Sequence, residues 1–250
     1  MVQTLDYLGV IFPFEVDCFE DTELPVEFVG HPFIHPEHKL PLRYDAAAPV
    51  LLLPGSRTAA VGRIFPVLLD GFRLAKQKKP ELKARVIYPS QKIWNILDEV
   101  IEDYSDLAES LEFVEKSDRT VSGSAVLMSS GTMSLTCALA GMPGAIVYRL
   151  NAISYWLGRL LVKIPYIGIA NLLLKQPMHP EFIQGAAKPK QLAEQLLNAL
   201  DNPQVAQAAK AGATELKELL SVESSVDASE WLMRNMQPLA DRNVFDETNK

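Results

Sequence analysis

The sequence predicts an α/β fold in which helices flank a parallel β-sheet. Short apolar runs alternate along the chain with longer segments whose apolar residues recur at helical spacing, the pattern of parallel strands joined by crossover helices. The chain has 250 residues, of which 48% are hydrophobic, so it can form one large domain, or one domain plus a fragment of another, with a full hydrophobic core. We therefore expect a Rossmann-like parallel sheet flanked by helices as the main domain.

The strands are expected in the short apolar runs. The predicted strands are Leu8–Phe14, Val26–Gly30, Val50–Leu53, Ala84–Tyr88, Leu111–Val114, Ala125–Met128, Gly144–Tyr148 and Tyr166–Ile169. A helix is expected after an N-cap at Ser90, where apolar residues recur at helical spacing. Another is expected to begin at Pro203, because Asn202 and Pro203 form a start signal and the apolar residues that follow line one face.

The chain is expected to divide into three segments. Residues 31–49 carry several prolines and few strand or helix signals, which favours a connection between domains. The stretch before it is too short to build a core of its own. We expect residues 1–44 to be the remnant of an N-terminal domain and its linker, residues 45–201 to form the Rossmann-like domain, and residues 202–250 to form C-terminal helices.

The charge and the cysteines limit the classes of function. A formal net charge of -7 and a pI near 5.2 argue against a nucleic-acid partner, because neutralising phosphates takes clustered Lys and Arg. Cys18 and Cys137 lie too far apart in sequence for a Cys-x-x-Cys site and are too few for a disulfide framework. The sequence shows neither a secretory signal nor an apolar run long enough to span a membrane. A cytoplasmic protein is expected.

The first candidate binding segment follows the strand expected at Val50–Leu53 and reads Pro54-Gly55-Ser56-Arg57. Gly55 would let backbone amides approach a ligand closely, Ser56 offers a hydroxyl, and Arg57 offers a planar fork for phosphate oxygens. This combination suits a pyrophosphate. An ordinary strand-to-helix turn with a solvated arginine would show the same spacing, so that alternative stays open.

The second candidate segment, Ser129-Ser130-Gly131-Thr132, follows the strand expected at Ala125–Met128. A helical segment comes next, so free amides at its N-terminus and the hydroxyls make an anion site that needs no metal. A plain N-cap would look the same. Two such turns at the C-terminal ends of strands in one α/β sheet favour the ligand interpretation, because ligands bind at that edge.

The sequence lacks the motifs of dinucleotide-binding, P-loop and metal-dependent nucleotide-sugar sites. Gly-x-Gly-x-x-Gly and Gly-x-x-x-x-Gly-Lys are both absent, so the dinucleotide and P-loop fingerprints are missing. No Asp-x-Asp occurs to hold a divalent ion on a nucleotide-sugar. His31, His35 and His38 lie close in sequence and could suggest a metal. Pro32 and Pro36 prevent the helix that would align them, so we interpret them as loop histidines and expect no metal and no cofactor.

The segment Ile153–Ile169 is mostly apolar and aromatic, with Arg159 and Lys163 interspersed. It could lie at a membrane surface or bind acyl chains. A buried helix followed by a strand is the commoner arrangement and is the interpretation that we favour.

Taken in order, these segments resemble the lipid-A-disaccharide synthase family, which are bacterial glycosyltransferases with the two Rossmann-like domains of the GT-B architecture. The resemblance covers nearly the whole chain from Leu8 to about Leu200, and the order of the motifs makes it more specific than any single motif does. The matching segments are Phe12-Pro13-Phe14-Glu15, Val29-Gly30-His31-Pro32, Leu53-Pro54-Gly55-Ser56-Arg57, Ser130-Gly131-Thr132, Tyr148-Arg149, Asn171 and Pro180-Glu181-Phe182-Ile183-Gln184.

The resemblance implies an enzyme of lipid A biosynthesis. The family transfers a diacylated glucosamine from UDP to a diacylglucosamine 1-phosphate, inverts the anomeric centre and uses no metal. The substrate-binding residues that it implies are Gly55, Ser56, Arg57, Ser130, Gly131 and Thr132 for the UDP diphosphate, and Tyr148, Asn171, Glu181 and Gln184 for the donor side of the cleft. The resemblance also implies that residues 202–250 cross back to residues 1–44 and cover their strand edges.

The sequence departs from the family in three places and covers it incompletely. The family has a glutamate shortly after each of the two turns, whereas the chain reads Thr58-Ala59-Ala60 and Met133-Ser134-Leu135-Thr136 there. Ala170 stands where the family has a proline before its asparagine. The resemblance also implies that the acceptor-binding domain, to which the family's general base is assigned, lies largely outside the residues given, so the catalytic residues are expected outside this chain.

Three functions stay open. The preferred hypothesis is the donor-binding half of one of these glycosyltransferases, with a UDP-sugar and a lipid as substrates. Its partner would be an acceptor-domain polypeptide or a second copy, and its location the cytoplasm or the inner membrane surface. The alternatives are a non-catalytic module that binds a nucleotide-sugar and another GT-B enzyme such as a UDP-sugar epimerase.

Overall fold

A computed structural model describes residues 4–117, 119–149, 165–221 and 228–236. The chain divides into two compact units, of which the smaller combines Met1–Lys39 with Lys217–Lys250 and the larger is Leu40–Leu216. The predicted boundaries after residues 44 and 201 stay predictions. No helix within the described residues combines the length and the apolarity that crossing a bilayer requires.

The secondary structure alternates between strands and helices. The strands are β1 (Leu8–Val10), β2 (Val26–Phe28), β3 (Leu42–Tyr44), β4 (Val50–Leu53), β5 (Ala84–Tyr88), β6 (Leu111–Glu115), β7 (Val121–Gly123), β8 (Val126–Ser129), β9 (Gly144–Tyr148) and β10 (Glu181–Ile183). The α-helices are α1 (Phe14–Asp17), α2 (Thr58–Lys78), α3 (Gln91–Ile101), α4 (Thr132–Leu139), α5 (Ile169–Leu174), α6 (Pro189–Asp201) and α7 (Pro203–Leu220). Residues 228–236 form a further helix, and short 3-10 helices lie at Pro32–Ile34, Glu102–Ser110 and Gln184–Ala186.

The larger unit is built on a parallel sheet with the strand order β10-β9-β8-β4-β5-β6. Alternate residues of β4 point to opposite faces of this sheet. Val50 and Leu52 pack with α2, α3 and α6 on one face, whereas Leu51 and Leu53 pack with α4 on the other. A parallel strand covered by helices on both faces reads as a continuous apolar run, which is why this strand could be recognised in the sequence. The α/β prediction is confirmed.

The smaller unit contains the parallel pair of β1 and β2. Its C-terminal helix, residues 228–236, lies close to both strands. A Cβ atom added to Gly9 would come within 3.2 Å of the Trp231 ring, and the Arg234 guanidinium bonds the Glu27 carboxylate at 2.5 Å. The helix therefore contacts both strands of this pair, through Gly9 in β1 and Glu27 in β2.

The strand predicted at Tyr166–Ile169 is wrong. Its residues form a bend that leads into α5, which begins at Ile169. The physical reason is a tertiary contact. The Glu181 carboxylate accepts hydrogen bonds from the backbone amides of Ile167 and Gly168, so these amides are not available to pair with a neighbouring strand. The rest of the predicted apolar segment, residues 153–164, lies outside the described residues.

Candidate functional site

The strand order places a topological switch between β4 and β8. From β4 the chain continues to β5 and β6 on one side, whereas β8, β9 and β10 follow one another on the other side. The crevice beyond the carboxyl ends of two such strands is where open α/β sheets bind ligands. Both turns identified in the sequence follow these two strands, and a Cβ atom on Gly55 would lie only 2.7 Å from the Ser129 Oγ. The two turns are therefore adjacent at the switch.

The first turn leads from β4 into the long helix α2. Gly55 has a φ of +108°, a conformation that L side chains rarely adopt. Ser56 and Arg57 are exposed, and Arg57 is the N-cap, whose carbonyl accepts the amides of Ala60 and Val61. The first backbone amides of such a helix have no acceptor within the helix, so they can donate hydrogen bonds to an anion at the helix start. Within the described part of the chain, no carboxylate pairs with Arg57, so its guanidinium is free to bind phosphate oxygens.

The second turn leads from β8 into α4. Gly131 is its N-cap with a φ of +151°, and, apart from its two chain neighbours, no atom of the described residues lies within 4 Å of a Cβ added there. Thr132 is exposed. The Ser130 hydroxyl donates to the Ile167 carbonyl at 3.3 Å. The open side of the turn therefore presents backbone amides and the Thr132 hydroxyl, which together suit an anion.

Tyr148 and Gln184 lie at the same edge of the sheet. Tyr148 ends β9 and is paired in register with Ile183, the last residue of β10. Gln184 follows with a φ of +51° and begins a short 3-10 helix. Both side chains are half-buried, so this edge extends from the two turns across β9 to β10.

Asn171 and Glu181 are occupied by contacts within the chain. Asn171 is fully buried, and its side-chain amide bonds both the backbone N–H and the carbonyl of His179 at 3.0 and 2.7 Å. Glu181 is half-buried and accepts hydrogen bonds from Ile167, Gly168 and Asn171. In this structure the two side chains hold backbone segments next to the second turn.

The loop histidines make local contacts. His31 Nδ1 accepts a hydrogen bond from the Phe33 amide at 3.1 Å. Burial is the main cause that lowers the pKa of His31, and the nearby His38 lowers that pKa further. His35 Nδ1 accepts the Glu37 amide at 3.3 Å. Among the described residues no group of three or more His, Cys, Asp or Glu side chains is placed to hold a metal ion.

Sequence reasoning placed Ser129 in the second candidate segment but missed the roles of residues 165–168 and His179. Ser129 is the last residue of β8, next to Gly55 of the first turn. Residues 165–168 and His179 gave no signal in the sequence, because their positions depend on contacts between segments that are distant in sequence, such as the 2.8 Å contact of His179 Nε2 with the Met142 carbonyl.

Comparison with known proteins identifies the family. A family model described as lipid-A-disaccharide synthetase matches residues 1–234. The chain belongs to this family. The lipid-A-disaccharide synthase of Nitrosococcus oceani is 32% identical over 220 residues, which are 79% of this chain and 53% of that protein. Lipid-A-disaccharide synthase 1 of Legionella pneumophila strain Lens is 31% identical over 236 residues, covering 90% of this chain and 60% of that protein. The chain thus spans little more than half the length of these relatives.

Solved structures support the fold of this family member. TarM superposes with a TM-score of 0.51 at 12% identity and covers 94% of this chain and 44% of its own. A chain of the Gap123 complex, a glycosylation-associated protein from Streptococcus agalactiae, superposes with a TM-score of 0.54 at 8% identity, covering 88% and 43%. At such low identity the likeness shows the fold alone, which is that of the GT-B neighbours.

Proposed function

We propose that this chain supplies the UDP-sugar donor site of an inverting, metal-independent hexosyltransferase of lipid A biosynthesis. The enzyme would transfer an acylated glucosamine from UDP to a glucosamine-phosphate lipid. Family membership supports this activity, and one structural observation carries the donor assignment. Two adjacent glycine turns at the topological switch bring together the starts of α2 and α4 and the exposed Arg57, with which no carboxylate of the described residues pairs.

The proposed chemistry is stabilisation of the leaving group. When the bond between the sugar and UDP breaks, negative charge develops on the diphosphate. The Arg57 guanidinium and the amides at the starts of α2 and α4 are already oriented for that charge, which is how preorganised donors lower a barrier. The base that takes the proton from the acceptor hydroxyl is assigned to the acceptor-binding part of such an enzyme and to none of these residues.

The lipid substrate bears on location and partners. An acceptor and a donor that carry acyl chains reside in or near a membrane, so we propose that the working enzyme is peripheral at the inner membrane surface. The acceptor side would come from an acceptor-binding domain or from a second copy of the chain.

One observation favours a second candidate, a non-catalytic module that binds a nucleotide-sugar. Neither α2 nor α4 has an acidic residue in its first turn, where the family's carboxylates are expected to hold sugar or ribose hydroxyls. An assay of sugar transfer with a supplied acceptor domain separates the two candidates. Measurable transfer supports the enzyme, and UDP binding without transfer supports the module.

Calorimetric titration with UDP tests the donor site. The proposal predicts the same affinity in the presence of EDTA and in the presence of magnesium, because amides and Arg57 supply the positive charge. UMP is the matched control ligand, since it lacks the second phosphate and should bind more weakly. A requirement for magnesium, or equal binding of UMP and UDP, would contradict the site.

A further inference from the structure

The second turn is supported from one side by a short loop, residues 165–168. The Ile167 carbonyl accepts a hydrogen bond from the Ser130 hydroxyl at 3.3 Å. The next residue, Gly168, lies tightly against the sheet, because a Cβ atom there would come within 2.5 Å of Ile146 Cδ1 in β9. This loop therefore contacts the proposed diphosphate turn at one residue and the sheet at the next.

The Glu181 carboxylate fixes the backbone of this loop. Its Oε2 accepts the Ile167 amide at 2.9 Å, and its Oε1 accepts the Gly168 amide at 2.9 Å. A third hydrogen bond comes from Asn171 Nδ2 at 2.8 Å. Hydrogen bonds to an ionised carboxylate are about twice as strong as those between neutral groups. One side chain at the start of β10 thus sets the position of two consecutive peptide groups.

Asn171 and His179 hold Glu181 in place. The fully buried Asn171 side chain bonds the backbone N–H and carbonyl of His179. The His179 ring is fully buried as well, and its Nε2 lies 2.8 Å from the Met142 carbonyl. Because a carbonyl only accepts, Nε2 carries the proton. These contacts fix the chain just before Glu181, and they leave that carboxylate little freedom to turn toward a ligand.

We infer that Glu181 is a positioning residue for the diphosphate turn. Its carboxylate holds the 165–168 loop, the Ile167 carbonyl of that loop orients Ser130, and Ser130 orients the amides of Gly131 and Thr132. Glu181 thus acts on the ligand through Ser130 and without touching it. This inference rests on the proposed function, since it concerns the same diphosphate site.

A double-mutant cycle tests this chain of contacts. UDP is titrated into the wild-type chain, Glu181→Gln, Ser130→Ala and the double variant. Each single substitution should weaken UDP binding by about tenfold, the equivalent of one hydrogen bond of ordinary strength. The double variant should bind within about twofold of the single variants, because both changes break the same connection.

The control is Glu112→Gln. Glu112 lies in β6, and its carboxylate also accepts a hydrogen bond within the chain, from the Arg85 guanidinium at 2.6 Å. It lies on the other side of β4 from the second turn, so UDP affinity should not change. Urea unfolding of every variant separates a loss of folded protein from a loss of affinity.

Three outcomes would overturn the inference. Independent losses that multiply to about a hundredfold in the double variant would show that Glu181 does not act through Ser130. Unchanged affinity in Glu181→Gln, with the wild type binding UDP, would remove its role while leaving the proposed function intact. A wild-type chain that does not bind UDP would overturn both. If Glu181→Gln does not fold, Glu181→Asp replaces it in the same cycle, because aspartate keeps the charge with a shorter reach.

Discussion

At the residue scale, Arg57 carries most of the proposed site. Its position follows from local structure. A buried strand ends at Leu53, and Gly55 turns the chain with a positive φ. Helix α2 then begins at Thr58, directly after Arg57. The sequence alone left a solvated arginine on an ordinary turn as an equal alternative. The adjacent second turn favours the phosphate role, because two amide-rich turns at one crevice suit a doubly charged ligand.

Replacing Arg57 separates these interpretations. Arg57→Ala should weaken UDP binding by about 1.5 to 3 kcal/mol, the value of charge-assisted hydrogen bonds, and leave the free energy of unfolding nearly unchanged. Arg57→Lys should recover only part of the loss, because an ammonium keeps the charge but lacks the planar fork. Calorimetry and urea unfolding on both variants provide the measurement. Unchanged UDP affinity in Arg57→Ala would remove it from the site.

Gly55 and Gly131 form a matched pair of tests of the backbone geometry. Each has a positive φ, but a Cβ atom on Gly55 would lie 2.7 Å from the Ser129 Oγ, whereas one on Gly131 meets no non-adjacent residue of the described chain within 4 Å. Gly131→Ala should therefore cost about 1 to 3 kcal/mol of folding free energy for backbone strain alone. Gly55→Ala should cost about 1 to 3 kcal/mol more for overpacking. Equal losses in urea unfolding would argue against the contact between the two turns.

At the element scale, the longer strands of the main sheet were predicted from the sequence, whereas β3, β7 and β10, of three residues each, were not. Val50–Leu53 and Gly144–Tyr148 were predicted with the bounds that the structure has, because strands covered on both faces read as uninterrupted apolar runs. Glu181–Ile183 has three residues and begins with a charge, so nothing marks it as a strand before β9 pairs with it. Residues 166–169 show the reverse case, in which an apolar run became a bend because the distant Glu181 binds its amides.

The helix of residues 228–236 offers a test at this scale. Its Trp231 ring lies against Gly9 of β1, whereas Met233 is 66% exposed. Trp231→Ala should lower the free energy of unfolding of the smaller unit by about 2 kcal/mol, below the range for a fully buried Trp. It should also speed amide hydrogen exchange in β1. Met233→Ala is the control and should change neither. Equal exchange rates in the two variants would mean that the helix does not cover the strands.

At the scale of the whole molecule, two buried histidines link stability to pH. Burial lowers the pKa of His179, although its hydrogen bond to Met142 opposes this, and burial also lowers the pKa of His31. The unfolded chain binds protons at these sites near the ordinary histidine pKa of about 6.5. The stabilisation is therefore complete above that pH, and it is lost as the pH falls below it toward the lower folded-state pKa.

The expected result is a free energy of unfolding that decreases below pH 6.5 with a slope of at most about 1.4 kcal/mol per pH unit for each histidine. Urea unfolding between pH 8 and pH 5.5 measures it. His179→Gln, whose side-chain amide can still donate to the Met142 carbonyl, should remove one histidine's share of the slope. A slope that the substitution leaves unchanged would show that His179 does not contribute.

The central claim is that the two turns at the topological switch bind a nucleoside diphosphate. A crystal structure of the chain grown with UDP and EDTA tests it most directly. We expect the diphosphate between the Gly55–Arg57 and Gly131–Thr132 turns, with the Arg57 guanidinium on its oxygens and no metal ion between the phosphates. UDP bound at another place on the chain, or an empty crevice at a saturating UDP concentration, would contradict the account.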